Sequence, residues 1–257
     1  MLLGWCLLRG RPLRYPLRAH GRFAFIGLFL FNLNYITLYY ATFHLTTGLV
    51  SVIFSSIQIF NMVISRLVLG DQITLKMTLG AAIGIGGITL VFLPELQLLE
   101  WSSSTLTGIL FALTGTISAS VGMISSARFQ RENYPVLQTN AWGMTWGALL
   151  MLVYIIINDI EFGFQPDASY IGSLIWLSIF ATALGFGCFL TLVGRIGAGR
   201  ASYAMVVFPI VALFISTLFE NYTWSVTAVL GLALAIGGNV IILMDRQAAS
   251  PRKPTPS

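Results

Sequence analysis

Forty-five residues of this chain occur twice. The run from Gly48 to Phe92, GLVSVIFSSIQIFNMVISRLVLGDQITLKMTLGAAIGIGGITLVF, lies without a gap on Gly199 to Leu243, GRASYAMVVFPIVALFISTLFENYTWSVTAVLGLALAIGGNVIIL, when shifted by 151 positions. Twelve positions are then identical, among them Gly48/Gly199, Ser65/Ser216, Gly80/Gly231, Gly86/Gly237 and Gly87/Gly238. Each copy holds two long apolar segments joined by a short polar stretch. The fold must place that pair twice, so a chain assembled from internal repeats is the first expectation.

The segments are membrane helices by length and composition. Hydrophobic residues make up 56% of the 257 residues and charged residues only 9%, against about 25% charged in a soluble domain. A spanning helix needs about 20 mainly apolar residues, and eight stretches qualify: 22–43, 45–66, 74–94, 104–127, 136–158, 169–193, 199–219 and 224–244. Hydrocarbon offers the backbone no hydrogen-bonding partner, and the Ile/Val runs are too long for strands, so each span must satisfy itself as a helix. The expected fold class is all-α, a polytopic membrane helix bundle with inverted repeats and no room for a soluble domain. Helix starts carry caps at Thr74 and its repeat partner Ser225, in the Ser102–Ser104 run, and at Asp167/Ser169.

Charge placement gives an orientation. Taking the loops alternately, one side receives all fourteen basic residues, from Arg9, Arg11, Arg14, Arg18 and Arg22 through Arg66, Lys76, Arg128, Arg131, Arg195 and Arg200 to Arg246, Arg252 and Lys253. The other side has Glu95, Glu100, Asp159, Glu161, Asp167 and Glu220 instead. The positive-inside rule puts the basic face and the C-terminus in the cytoplasm, hence a multi-pass protein of the cytoplasmic membrane. The net charge of +5 is thus a matter of topology, with no nucleic-acid partner implied; the partners expected are the lipid bilayer and a small-molecule substrate. In this orientation the helix after Gly48 descends and the helix after Gly199 rises, so the two copies are inverted. The same shift pairs span 22–43 weakly with 169–193, through Phe29/Phe180 and Leu33/Leu184. It leaves 104–127 and 136–158 without complete partners. Residues 1–9 are apolar, too few to cross a membrane, and lack the charged n-region and cleavage site of a signal peptide.

The runs YYATFHLTTG, LVLGDQITLKMTLGAAIGIGGITLVF, RIGAGRASYAMVVFPIVALFISTLFENYTW and LGLALAIGGNVIIL, in that order and spacing, resemble the two EamA-type repeats of the drug/metabolite transporter superfamily. The resemblance runs from about residue 1 to 245 and implies a ten-helix exporter or permease of small metabolites with both termini cytoplasmic. It divides the chain into a first repeat at 1–94, incomplete at its start, a second at 104–245, and a cytoplasmic tail at 246–257. Two departures stand out. The first helix is absent, and Gln58 occupies the place where the family often has a proline in its fourth helix, whereas Pro209 keeps it in the ninth. A full-length form is expected to carry about 45 to 50 further N-terminal residues, one helix and most of another. The chain as a truncated, inactive transporter fragment is therefore the alternative reading.

Polar residues in apolar spans mark faces turned away from lipid. Asn32, Tyr35 and Tyr39 share one side of their helix at spacings of three and four, and Ser51, Ser55 and Gln58 do so on the next. Thr114, Ser118, Gly122 and Ser125 mark a face of 104–127, and Gln138, Trp142 and Trp146 a face of 136–158. A cavity so lined is uncharged with aromatic walls and suits a small amphipathic or zwitterionic solute. The repeat shift brings Phe186 opposite Tyr35 and Pro209 opposite Gln58, which completes the expected pathway: Asn32, Tyr35, Tyr39, Ser55, Gln58, Ser118, Trp142, Phe186 and Pro209. The bland alternative is that Ser and Thr bond to their own helix and the aromatics pack on neighbours. Pro209 is expected to kink its helix, as a hinge or as a fixed bend. Gly80/Gly84 and Gly231/Ala235 are small-residue pairs for close helix packing, with homodimer formation the second use of such stripes.

No Asp, Glu, Lys or Arg lies mid-span, so a carboxylate proton carrier is missing from the spans. His20 and His44 are expected in loops, Cys6 and Cys188 have no metal or redox spacing, and no metal or cofactor is expected. A membrane-embedded enzyme needs a nucleophile with a base, a metal cluster or paired carboxylates, and the spans offer none.

Overall fold

The computed structural model describes residues 2–97, 99, 101–160, 163, 167–197, 201 and 225–243. Every regular element among them is helical. In chain order they are α1 (Leu2–Leu8), α2 (Leu17–Ala41), α3 (Thr47–Leu69), α4 (Leu75–Val91), a short α5 (Leu93–Gln97), α6 (Ser103–Arg131), α7 (Val136–Ile157), α8 (Ala168–Ile196) and α9 (Val226–Leu243). The caps fall where expected: Met77 N–H donates to Thr74 Oγ1 at 3.2 Å, Ala228 N–H to Ser225 Oγ at 3.1 Å, Thr105 N–H to Ser102 Oγ at 3.1 Å and Tyr170 N–H to Asp167 at 2.7 Å. Gly70 ends α3 in the left-handed conformation, φ 71°, where a side chain would be strained.

Among the described residues five helices, α2, α3, α6, α7 and α8, are long and apolar enough to cross a membrane. With 17 residues, α4 spans about 26 Å at 1.5 Å per residue, a little under the ~30 Å hydrocarbon core. Of the expected span at 199–219 only Ala201 is among the described residues, and Pro209 lies outside them. Three helices, α2, α6 and α8, run well beyond the lengths read from hydropathy, α8 covering Ala168–Ile196 against an expected 169–193. α2 begins at Leu17 and takes in Arg18, His20 and Arg22, so His20 stands on a helix rather than in a loop; α6 runs on to Arg131. Polar ends are invisible to an apolar window, yet long basic side chains can lie along a helix while their heads stay in water. Cations in the last turn of α6 also complement its C-terminal dipole.

The core is organised on α6, which buries Thr116, Ser118, Ala119, Ser120 and Met123 among α2, α3 and the lower part of α8. Glycines at seven-residue intervals set its contact with α2 and with the turn that follows α2. A Cβ on Gly108 would stand 2.7 Å from His44 and Leu45, one on Gly115 2.7 Å from Thr37 Oγ1, and one on Gly122 2.6 Å from Leu30. On its other side α2 meets α7 through Gly27, whose Cβ would stand 2.6 Å from the Gly143 carbonyl.

The contact of α4 with α9 carries the symmetry of the repeat. A Cβ on Gly80 would strike Ile242 and the Gly238 carbonyl, and one on Gly231 would strike Val91 and the Gly87 carbonyl. Likewise a Cβ on Gly87 would stand 2.5 Å from Ala235 N, and one on Gly238 2.8 Å from Gly84 N. Adding or subtracting 151 turns each of these contacts into its companion, which is the pattern of an isologous interface about a two-fold axis. Inverted repeats produce that axis within one chain.

Polar contacts gather the basic residues at one end of the bundle. Arg22 pairs with Glu132, which Arg128 also meets at 3.3 Å. Arg131 pairs with Asp71 at 2.7 Å and donates to the Leu69 carbonyl at 3.0 Å. At the other end His44 and Ser104 are hydrogen-bonded at 2.8 Å.

Candidate pathway in the bundle

Two of the long helices leave the α-helical pattern at corresponding places. α2 contains a π-helical segment at Phe29–Leu33 and α8 one at Leu177–Gly185. Shifted by 151, the first becomes 180–184 and falls inside the second, and its ends are the Phe29/Phe180 and Leu33/Leu184 identities. A π turn inserts a residue into the ladder and often marks a functional position. The first carbonyl of that segment in α2 receives a side-chain donor, since Ser118 Oγ donates to Phe29 O at 2.7 Å. Phe31 of that segment meets Phe186 of α8 edge to face at 5.2 Å, a direct contact between the two copies.

α3 is interrupted too, at Ser56. The hydroxyls of Ser55 and Ser56 donate back to the carbonyls of Val52 and Ile53, both at 2.6 Å. Such back-bonding competes with the helix ladder and bends it. The interruption thus coincides with two back-bonding serines just before Gln58.

Gln58 is 1% exposed, and its Oε1 has no hydrogen-bonding partner. It lies over Gly84, where a Cβ would stand 3.7 Å away. Gly84 is therefore both a backbone neighbour of Gly238 and the floor beneath an amide. One turn on, Asn61 is fully buried, accepts from Ser120 Oγ at 2.5 Å and reaches Met123 Sδ at 3.8 Å. Ser65 continues the face and donates to Asp71 at the basic end. Gln58, Asn61, Ser65 and Asp71 form a polar line from mid-helix to the basic face; Asn61 and Ser120 belong to it although the stripe analysis passed over them. Their signal was the three- and four-residue spacing that continues from Gln58.

The other expected pathway residues are placed as follows. Asn32 is buried and donates to the Gly147 carbonyl of α7 at 3.3 Å. Tyr35 and Tyr39 are 46% and 64% exposed. The π turn explains why they part from Asn32, since one added residue turns the following face by about 100°. Thr114 and Ser125 bond to carbonyls of their own helix, Leu110 and Val121, each at 2.8 Å, whereas Ser118 crosses to α2. Trp142 stands nearer the basic end, donating from Nε1 to the Leu13 carbonyl at 3.2 Å and packing on His20 edge to face at 4.4 Å. Trp146 Nε1 donates to His20 Nδ1 at 3.4 Å. In the loop beside them Tyr15 packs on Phe23 and Tyr134, and burial, then Cys6 and Tyr134, hold its hydroxyl above the ordinary value, so it remains a neutral donor. Among the described residues six buried side-chain atoms lack partners, on Asn34, Gln58, Ser126, Thr139 and, twice, Asn140.

Comparison with known proteins gives a single answer. The EamA-like transporter family matches residues 1–93 and 106–244. The relative named uncharacterized transporter YoaV, from Bacillus subtilis, is 27% identical over 241 residues, covering 92% of this chain and 79% of its own length. A protein of Salmonella typhimurium named a probable amino-acid metabolite efflux pump is 21% identical over 206 residues, 76% of this chain and 67% of its own length. A solved crystal structure has the same fold, with a TM-score of 0.80 over 97% of this chain and 84% of the other at 18% identity.

Proposed function

The chain belongs to the EamA-like transporter family and is a multi-pass membrane transporter, and we propose that it moves small amphipathic metabolites, amino-acid-like solutes among them, by alternating access between two inverted repeats. In this reading residues 1–94 and 104–245 are the two repeats, 246–257 is a cytoplasmic tail, and the basic end faces the cytoplasm. The observation that carries the proposal is the Gln58 amide, which is buried at mid-bundle with a free acceptor over a glycine. An unmet acceptor there costs about 1–3 kcal/mol, and a cargo ammonium or amide N–H would satisfy it. Asn32, Tyr35, Tyr39, Ser55, Ser118, Trp142, Phe186 and Pro209 complete the proposed pathway. The Salmonella relative's name supports an amino-acid-like cargo.

The test is counterflow of a labelled amino-acid and metabolite panel in proteoliposomes holding the full chain. Gln58→Leu is expected to slow exchange about tenfold, the weight of roughly one hydrogen bond, with Gln58→Asn intermediate and the thermal midpoint held or raised. Unchanged exchange of every solute that the parent protein moves would sink the assignment of Gln58.

A further inference from the structure

We propose that the groove between α1, α7 and α8 binds an anionic phospholipid of the leaflet at the basic end of the bundle, with its acyl chains on the apolar wall and its phosphate on Arg195. The groove has a volume of about 720 Å³ and contains none of the polar line around Gln58. Its walls include Trp5 of α1, Leu137 at the start of α7, and Ala183, Leu184 and Leu192 of α8; among the described residues that line it, Arg195 is the one that is charged. From Ile179 to Arg195 it follows sixteen residues of α8, about 24 Å, enough for the ~15 Å hydrocarbon depth of one leaflet. Gly187 lies in that wall, and among the described residues nothing stands within 4 Å of a Cβ there.

Charge selects the occupant. Arg22, Arg128 and Arg131 are engaged with Glu132 and Asp71. Arg195, in the last turn of α8 and exposed, meets no carboxylate among the described residues. Arg9 is equally without one, and its guanidinium lies 4.7 Å from the ring of Trp5, on the groove wall. An apolar trough with free guanidiniums at its mouth complements a phosphodiester on two acyl chains. Zwitterionic lipids bring a cation to the same mouth, which the basic face disfavours.

The experiment is native mass spectrometry of the full chain in detergent with equal amounts of dioleoylphosphatidylglycerol and dioleoylphosphatidylcholine, alongside melting curves with each lipid. Preferential retention of phosphatidylglycerol is expected. Arg195→Gln should lower it about fivefold, the weight of one basic residue at a membrane surface, with the lipid-free melting point unchanged. Arg18→Gln, on the same face but outside the groove, should leave retention as it was, and Ala183→Trp should displace both lipids by filling the trough. Equal retention of the two lipids, or an equal loss with Arg18→Gln, would overturn the proposal. So would an Ala183→Trp variant that changes oligomeric state while keeping its lipid, since the trough would then hold protein.

Discussion

Neighbouring glycines on α4 and α9 offer a controlled test of the α4–α9 contact, because one of each pair touches the partner helix and the other touches nothing. A Cβ on Gly87 would stand 2.5 Å from both Ala235 N and Gly231 O, and one on Gly238 2.6 Å from Gly80 O. Carbon contacts settle near 3.5–4.0 Å, and the atoms met are backbone, so the two helices must part by about 1 Å. Overpacking of that kind costs roughly 1–3 kcal/mol, against which alanine returns about 0.8–1.0 kcal/mol of helix propensity. Gly86 and Gly237 have nothing within 4 Å of a Cβ, so Gly86→Ala and Gly237→Ala gain only the second term. The expectation is that Gly87→Ala and Gly238→Ala are each about 1–3 kcal/mol less stable than their neighbours' variants, with the two deficits alike because the contacts are images of each other. Reversible unfolding of the full chain in one detergent, followed by helical circular dichroism, measures this. Pairing Gly87→Ala with Gly231→Ala, which shares its contact, should add little to the single cost. Pairing it with Gly238→Ala, about 10 Å along the helix, should add within about 0.5 kcal/mol. A Gly86→Ala variant as damaged as Gly87→Ala, or a harmless Gly87→Ala, would refute the image-related contact.

Two further outcomes follow from the charge partition and the π segment. A reporter active only in the cytoplasm is expected to be active when fused after Arg131 or after Ser257 and silent after Glu161; the reverse pattern at any site overturns the orientation. Ser118→Ala removes the donor to Phe29 O and is expected to lower stability by about 1–3 kcal/mol, whereas Ser125→Ala, whose hydroxyl meets its own helix, should stay within about 0.5 kcal/mol of the parent in the same melting assay.

The fold was legible because membrane helices must satisfy their own backbones, so hydropathy and length alone locate them. The repeat offset was legible as well, and it carries through to caps and contacts: Thr74 with Ser225, Gly80–Ile242 with Gly231–Val91. The glycine contact of α6 with α2 was less visible. Gly108, Gly115 and Gly122 stand seven apart, a spacing that keeps one face turned toward a neighbour over several turns. The hydroxyls interleaved with it form the more conspicuous polar stripe, yet Thr114 and Ser125 bond to their own helix.

The polar stripe on α2 illustrates why the pathway was harder to read than the fold. Grouping Asn32 with Tyr35 and Tyr39 assumes 3.6 residues per turn throughout, and the π segment at Phe29–Leu33 breaks that assumption at Asn32 itself. No composition rule marks a π turn; the trace in this sequence was that Phe29/Phe180 and Leu33/Leu184 match although the spans around them hardly do. Packing supplies the physical cause. Gly122 and Gly147 admit α2 on both sides, the Gly147 carbonyl accepts from Asn32, and Ser118 takes the Phe29 carbonyl. Those three partners lie 85 residues or more from the segment they hold, so local periodicity could not contain them. The polar line at Gln58, Asn61 and Ser65 lies past the interruption at Ser56 and stays in α-helical register, and there the spacing rule placed successive amides and hydroxyls on one buried face.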